Sequence, residues 1–270
     1  MKTFWMIVLC LWTPFLFAGV VQQVPSAPQL LIPVAGSTPG ANGTFFRSEI
    51  TLGNFATHDQ DVRLQWLPQG ASSTFSTTIN LRALSGIRSE DFVREYLAQS
   101  GLGAIVVTGV TSSGDLDPTA ALYVNSRIWS PQTATGGTTS QSLPAIPIST
   151  ISAPDSAGFF PGPQSNNYRV NIGFVNLDPK NEQTFGIVYE FTPLPFAFSV
   201  TVPPMSMQQV ALGSVFGFEI ILSNNTDSAR KSNLWVAYGS IVDNISGDAW
   251  SELVAPGAPN INPPGPIGKQ

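Results

Sequence analysis

The chain has 270 residues, 43% hydrophobic but only 11% charged, with a formal net charge of −5. An average soluble domain carries about 25% charged residues, so Ser, Thr, Asn, Gln and backbone must wet this surface. No basic cluster occurs, which argues against nucleic acid or an anionic membrane surface as a partner. Gly and Pro (24 and 23) are numerous but aperiodic, a pattern of turns rather than of collagen.

Lys2 opens an apolar run from Phe4 to Phe17, interrupted by Thr13 and Pro14 and followed by Ala18-Gly19. A short cation, an apolar core and a small residue at the end read as a secretory signal peptide over residues 1–18. With the leader removed no membrane span is expected. Cys10, the single cysteine, falls inside the leader. The mature chain is therefore expected to lack disulfides, a thiolate nucleophile and a Cys-based metal site. The expected location is secreted, extracellular or periplasmic.

Beyond the leader, two stretches share one pattern. Phe46-Arg47-Ser48-Glu49-Ile50-Thr51-Leu52-Gly53-Asn54 and Tyr168-Arg169-Val170-Asn171-Ile172-Gly173-Phe174-Val175-Asn176 place an aromatic, an Arg and a closing Asn at equal spacing. A polar turn follows each (His58 to Asp61, Asp178 to Asn181). Alternating runs come next, Val62, Leu64 and Trp66 against Phe185, Ile187 and Tyr189, as in a hairpin with one buried face. Further strands are expected at Thr77 to Leu81, Ala104 to Val107 and Leu122 to Ile128, and at Phe198 to Val202, Phe218 to Ile221 and Val236 to Val242. Each unit is also expected to hold a short helical insert. In the first, Ser89 caps a helix whose apolar face is Phe92, Val93, Tyr96 and Leu97, with a Glu90–Arg94 pair and a stop at Gly101. The second insert is placed near Ser206 to Leu212.

About seven short strands and one small helix per unit predict an all-β protein of two tandem immunoglobulin-like β-sandwich units. The units span 25–152 and 160–255, the boundary falls near Ala153 to Ser165, and a Pro-rich flexible tail occupies 256–270.

The run Asn171 to Asn176, Val202-Pro203-Pro204 with Gln208-Gln209, and Ala237-Tyr238-Gly239-Ser240-Ile241-Val242-Asp243-Asn244-Ile245-Ser246-Gly247-Asp248 together resemble a β-sandwich module of uncharacterised exported proteins of Acidobacteria-like bacteria. There it often stands in tandem or beside adhesive or peptidase domains. The resemblance covers most of the second unit and, more loosely, the first. The first departs from it at Trp129-Ser130-Pro131-Gln132 and the Gly-Thr-rich loop that follows. It implies the fold and the export, and no activity.

Catalytic chemistry is not expected. His58 is the only histidine and lies in a turn, no Gly-x-Ser-x-Gly elbow occurs, and the acids gather in turns rather than on one strand. No cofactor is expected, with calcium the one metal to consider: Asp243, Asn244 and Asp248 crowd one turn, and Asp115 and Asp117 another. Trp129 and Trp250, at strand ends, are the candidates for a sugar platform. The expected role is structural, adhesive or protein-binding, with another envelope or extracellular protein, or a second copy, as partner. A carbohydrate-binding protein that takes a polysaccharide is the alternative.

Overall fold

The computed structural model describes residues 26–40, 43–132, 136–159, 167–189, 196–213 and 220–256. The expected leader, the Pro-rich tail beyond Pro256 and the first two residues of the strand expected from Phe218 to Ile221 lie outside the described residues; Ile220 and Ile221 open β15. The first half of the chain forms β1 (Gln29–Pro39), β2 (Phe45–Asn54), β3 (Gln60–Pro68), β4 (Phe75–Leu81), β5 (Ser85–Ser89), α1 (Phe92–Leu97), β6 (Gly101–Val110), β7 (Leu122–Gln132), β8 (Gly137–Ser142) and β9 (Ile146–Pro147). The second forms β10 (Ser156–Phe159), β11 (Tyr168–Asn176), β12 (Gln183–Tyr189), β13 (Phe196–Val202), β14 (Ser206–Gly213), β15 (Ile220–Asn224), β16 (Trp235–Asp243), β17 (Ala249–Leu253) and β18 (Ala255–Pro256). The protein is all-β, and α1 is the one α-helix among the described residues. No helix among them is long and apolar enough to cross a membrane.

Strands β1 to β9 make one sheet in the order β4-β3-β6-β1-β2-β7-β8, with β5 along β2 and β9 along β1. The second half makes two sheets, β13-β12-β15-β10-β18 and β14-β11-β16-β17. These two orders match the first nine strands partner for partner: β12 lies between β13 and β15 as β3 lies between β4 and β6, and β11 between β14 and β16 as β2 between β5 and β7. In the first half β1 joins what are two sheets in the second. It pairs with β6 along most of its length, then passes Ser37, Thr38 and Pro39 to β2 after a bulge between Ile32 and Ala35.

Three apolar cores separate four layers. Leu30, Ile32, Ile50, Leu52, Val62, Leu64, Trp66, Ile105 and Val107 fill the first core, and α1 closes it with Phe92, Val93 and Leu97. Val170, Ile172, Phe174, Phe185, Ile187, Leu222 and Trp235 fill the second. The third lies between the halves: Leu31, Leu67, Ala104 and Val106 from one side meet Val175, Leu177, Met207 and Tyr238 from the other. Strands buried on both faces read as continuous apolar runs. Hence Leu30-Leu31-Ile32 and Ala104-Ile105-Val106-Val107 send alternate side chains into different cores. Backbone bonds reinforce the third core, from Gly70 N–H to the Met207 carbonyl (2.9 Å) and from Ser73 N–H to the Met205 carbonyl (3.0 Å).

Several expectations need correction. Ser206 to Leu212 is not helical but strand β14. Its alternation is masked because Met207 enters the third core while Val210 and Leu212 pack on the second. Helix α1 has Asp91, not Ser89, at its N-cap, and ends at Ala98 (φ 51°) before Gly101, which opens β6. Ser89 ends β5, where its hydroxyl accepts the Asp91 N–H (3.2 Å) and donates to Glu95 (2.6 Å). Glu90 precedes the helix, and the ion pairs among the described residues join other groups. The Gly-Thr-rich loop after Gln132 contains strand β8. Ser156 to Phe159, within the expected linker, is strand β10, bonded to β15, so the second set of strands begins before residue 160.

A buried asparagine ends β2 and another ends β11, and they do the same work. The Asn54 amide donates to the carbonyls of His58 (2.8 Å), Leu81 (3.3 Å) and Arg82 (3.2 Å), and its oxygen accepts the Ala56 N–H (2.9 Å). The Asn176 amide donates to Asn181 (2.9 Å), Val202 (3.1 Å) and Pro203 (3.0 Å), and its oxygen accepts the Asp178 N–H (2.9 Å). Each clamps a hairpin turn to the corner where the next strand leaves. That corner turns through a non-glycine residue at positive φ, Leu84 (51°) or Met205 (46°). Leaving such carbonyls buried without donors costs their desolvation. Asn54→Ala and Asn176→Ala are each expected to lower the unfolding free energy by about 3 kcal/mol, read from urea denaturation midpoints.

Candidate functional surface

Alternation along β2 and β7 sends Ile50, Leu52, Leu122 and Val124 inward. It leaves Arg47, Glu49, Thr51, Tyr123, Asn125, Arg127 and Trp129 on the outer face. The register sets Arg47 opposite Trp129, Glu49 opposite Arg127, and Gly53 opposite Tyr123. Glu49 is gripped from both sides: Arg88 Nε donates to one carboxylate oxygen (2.8 Å) and Arg127 Nε to the other (2.7 Å). Burial pushes this carboxyl up, but the hydrogen bonds and charges of Arg127 and Arg88 outweigh that and hold it below its ordinary value of 4.5.

Trp129 stands beside this network. The Arg47 guanidinium lies 5.6 Å from its ring and 4.9 Å from that of Phe45. The indole N–H donates to the Glu90 carbonyl (3.0 Å). Arg47 also reaches Asp91 (3.6 Å), which accepts from the Ser37 hydroxyl (3.2 Å). Trp129 is thus half-buried, with Arg47 over its ring. Trp250 sits elsewhere: on β17 opposite Ile241, it packs against the second core and meets Tyr168 edge-on at 5.8 Å. The structure does not bring the two tryptophans onto one surface. Trp66 and Trp235 are core residues.

The turn of Asp243, Asn244 and Asp248 is a self-satisfied hairpin. One Asp243 oxygen accepts the N–H of Ile245 (2.8 Å) and Ser246 (3.4 Å), and the other accepts the Ser246 hydroxyl (2.9 Å). The Ile245 N–H, with the Ser246 hydroxyl, lowers this carboxyl below its ordinary value. Gly247 supplies the positive φ (77°). The Asn244 side-chain oxygen accepts from Arg169, a cation where a calcium ligand would need a neighbouring anion. Asp248 accepts the Ala249 N–H (2.9 Å). Asp115 and Asp117 are likewise engaged by Ser113 and Thr119. Among the described residues no three of His, Cys, Asp and Glu gather as a metal site would require. His58 is exposed in its turn.

Sequence reasoning passed over Arg88, Glu49 and Arg127 as a set, because their meeting depends on pairing of β2 with both β5 and β7. The available signal was the shared parity of Arg47 and Glu49, opposite to that of the core positions.

Two outcomes follow from these contacts. Glu49→Gln is expected to cost about 1–2 kcal/mol at neutral pH. A depressed carboxylate stabilises the fold fully above its unfolded-state value and ceases to as pH falls through its folded-state value. The gap between wild type and variant therefore shrinks as pH drops below 4.5, as measured by denaturation against pH. Calcium added after chelation is expected to leave the melting temperature unchanged; a rise that saturates with calcium and is lost in Asp243→Asn would show that this turn binds it.

No family model matches this chain, and no curated protein matches it.

Proposed function

We propose that the chain is a non-catalytic exported protein with a structural or adhesive role at the cell surface or in the periplasm, acting through contacts with other proteins. The observation that carries this is the character of its outermost strands. β4 (Phe75–Leu81) and β13 (Phe196–Val202) each pair on one edge only among the described residues. Neither contains a charge or a proline. Folded proteins ordinarily blunt such edges with lysine, proline or bulges. An unblunted edge takes an added strand from a partner, with backbone bonds giving affinity and side-chain alternation giving register.

The low charge content and the leader-like N-terminus support an extracytoplasmic setting. The matching strand orders of the two halves support two tandem immunoglobulin-like sandwiches, in keeping with the resemblance to tandem modules of exported bacterial proteins. The tight use of Glu49, Asp243 and Asp117 in structural bonds supports the absence of catalysis. The partner is an envelope or extracellular protein, or a second copy.

Thr78 and Ser199 are exposed on these strands, so Thr78→Lys with Ser199→Lys charges both edges without touching a core. The expected result is at least a tenfold weaker association with envelope protein fractions, with circular dichroism and melting temperature retained. Mature protein should be found outside the cytoplasm, beginning at Gly19. Unaltered association in the edge variant, together with polysaccharide retention lost in Trp129→Ala, would replace this reading with carbohydrate binding.

A further inference from the structure

The sulfur of this chain is confined to two places. Met1, Met6 and Cys10 fall within the expected leader, and Met205 and Met207 are the remaining methionines. With the leader removed, two thioethers are all the sulfur that the protein holds. Both stand in the third core, where the second half meets the first. The first and second cores are packed without methionine.

The same segment is stitched across the contact by its backbone. The Met207 carbonyl accepts the Gly70 N–H (2.9 Å) and the Met205 carbonyl accepts the Ser73 N–H (3.0 Å). Between them the Ser206 hydroxyl donates to the Pro68 carbonyl (2.9 Å), and Gln69 forms a parallel bridge with Met207. These bonds tie the turn between β3 and β4 to the start of β14, so they open and close with the third core.

The two methionines differ in access. Met207 is 0% exposed, whereas Met205 is half-buried at the corner after β13. Hydrogen peroxide oxidises a thioether by oxygen transfer. The sulfur lone pair attacks one peroxide oxygen, an S–O bond forms as the O–O bond breaks, and the departing hydroxide takes the proton of the transferred oxygen and leaves as water. Sulfur loses two electrons and the peroxide gains them. The product is a polar sulfoxide, whose oxygen needs a hydrogen-bond donor wherever it is buried. The third core offers none, because its residues are apolar except for Tyr238, whose hydroxyl already donates to Gln209 (2.9 Å).

We propose that Met205 is an oxidation site through which peroxide loosens the joint between the two halves. Its sulfoxide leaves the contact for solvent, the turn from Gly70 to Ser73 parts from β14, and Met207 becomes accessible in its turn. The first and second cores contain no sulfur and keep their packing, so the joint opens while each half stays folded. Reduction of the sulfoxide closes it again. The inference goes beyond the contacts proposed for the outermost strands and holds whatever those strands bind.

Hydrogen exchange of the leader-processed chain, read by NMR before and after treatment with hydrogen peroxide, tests the proposal. Mass spectrometry places the added oxygen, which is expected on Met205 ahead of Met207. The Gly70 and Ser73 amides are then expected to exchange about tenfold faster. Amides of β2 and β12, whose inward side chains fill the first and second cores, are expected to keep their rates. Methionine sulfoxide reductase should restore slow exchange, and Met205→Leu should abolish the response with native circular dichroism retained. Norleucine in place of methionine, which keeps the shape without the sulfur, serves where that variant loses its fold. Four outcomes would overturn the proposal: a Met205 that stays unoxidised in the folded protein, a sulfoxide that leaves Gly70 and Ser73 unchanged, an acceleration shared equally by β2 and β12, or a response that persists in Met205→Leu. Each of them leaves the edge-mediated function, read from Thr78→Lys with Ser199→Lys, standing.

Discussion

Leu31, Ala104 and Val106 on one side, and Val175, Met207 and Tyr238 on the other, bind the two halves into a single stack of sheets. Because these residues alternate with others that point into the first and second cores, the inner layers are dry on both faces. A chain without a disulfide in its described part, and with few charges, draws its cohesion from this kind of burial. The Tyr238 ring lies over Gly173, where an added Cβ would come within 2.1 Å of it, and its hydroxyl donates to Gln209 (2.9 Å). A glycine in the centre of β11 is thus the space that lets a tyrosine lie flat in the interface.

The asparagine clamps solve a different problem. A sheet layer that hands its chain to the facing layer must turn a corner, and the corner leaves carbonyls that no ladder can reach. One amide at Asn54 and one at Asn176 serve those carbonyls with nearly identical geometry. The following layer contact is less symmetric. Gln183 accepts from the Asn224 amide (3.1 Å) and the Ser232 N–H (3.0 Å), whereas the corresponding oxygen of Gln60 is buried with no hydrogen-bond partner among the described residues. Gly109 and Ala120 pack closely beside Gln60, a Cβ at Gly109 falling 2.3 Å from that of Ala120.

Much of the architecture was legible because alternation survives wherever one face of a strand is wet. Val62, Leu64 and Trp66 were readable on those grounds, as was the closing Asn of each unit. The reading fails where the two faces of a strand meet different cores. Met207 enters the third core while Val210 and Leu212 pack against the second, so the apolar residues of β14 show no single-face alternation, and with helix-favouring neighbours they predict a helix there. The third core was illegible for the same reason, since Leu31 and Val106 look like their neighbours until pairing assigns them a side. The candidate surface was less legible still. Trp129 was identifiable by type, but its cover by Arg47, and the grip of Arg88 and Arg127 on Glu49, come from cross-strand register that residue spacing alone does not reveal.

One consequence concerns covalent modification. Asn224, Asn225 and Thr226 form the triplet that glycan-transferring enzymes of secretory routes recognise. Here the Asn224 amide donates to Gln183 and to the Ser232 carbonyl, its oxygen holds the Thr226 N–H (3.1 Å), and the Thr226 hydroxyl accepts the Thr184 N–H (2.8 Å). Every polar atom an acceptor site must present is already occupied inside the fold. Once folded, the protein offers no sugar attachment at this triplet, whatever compartment it passes through.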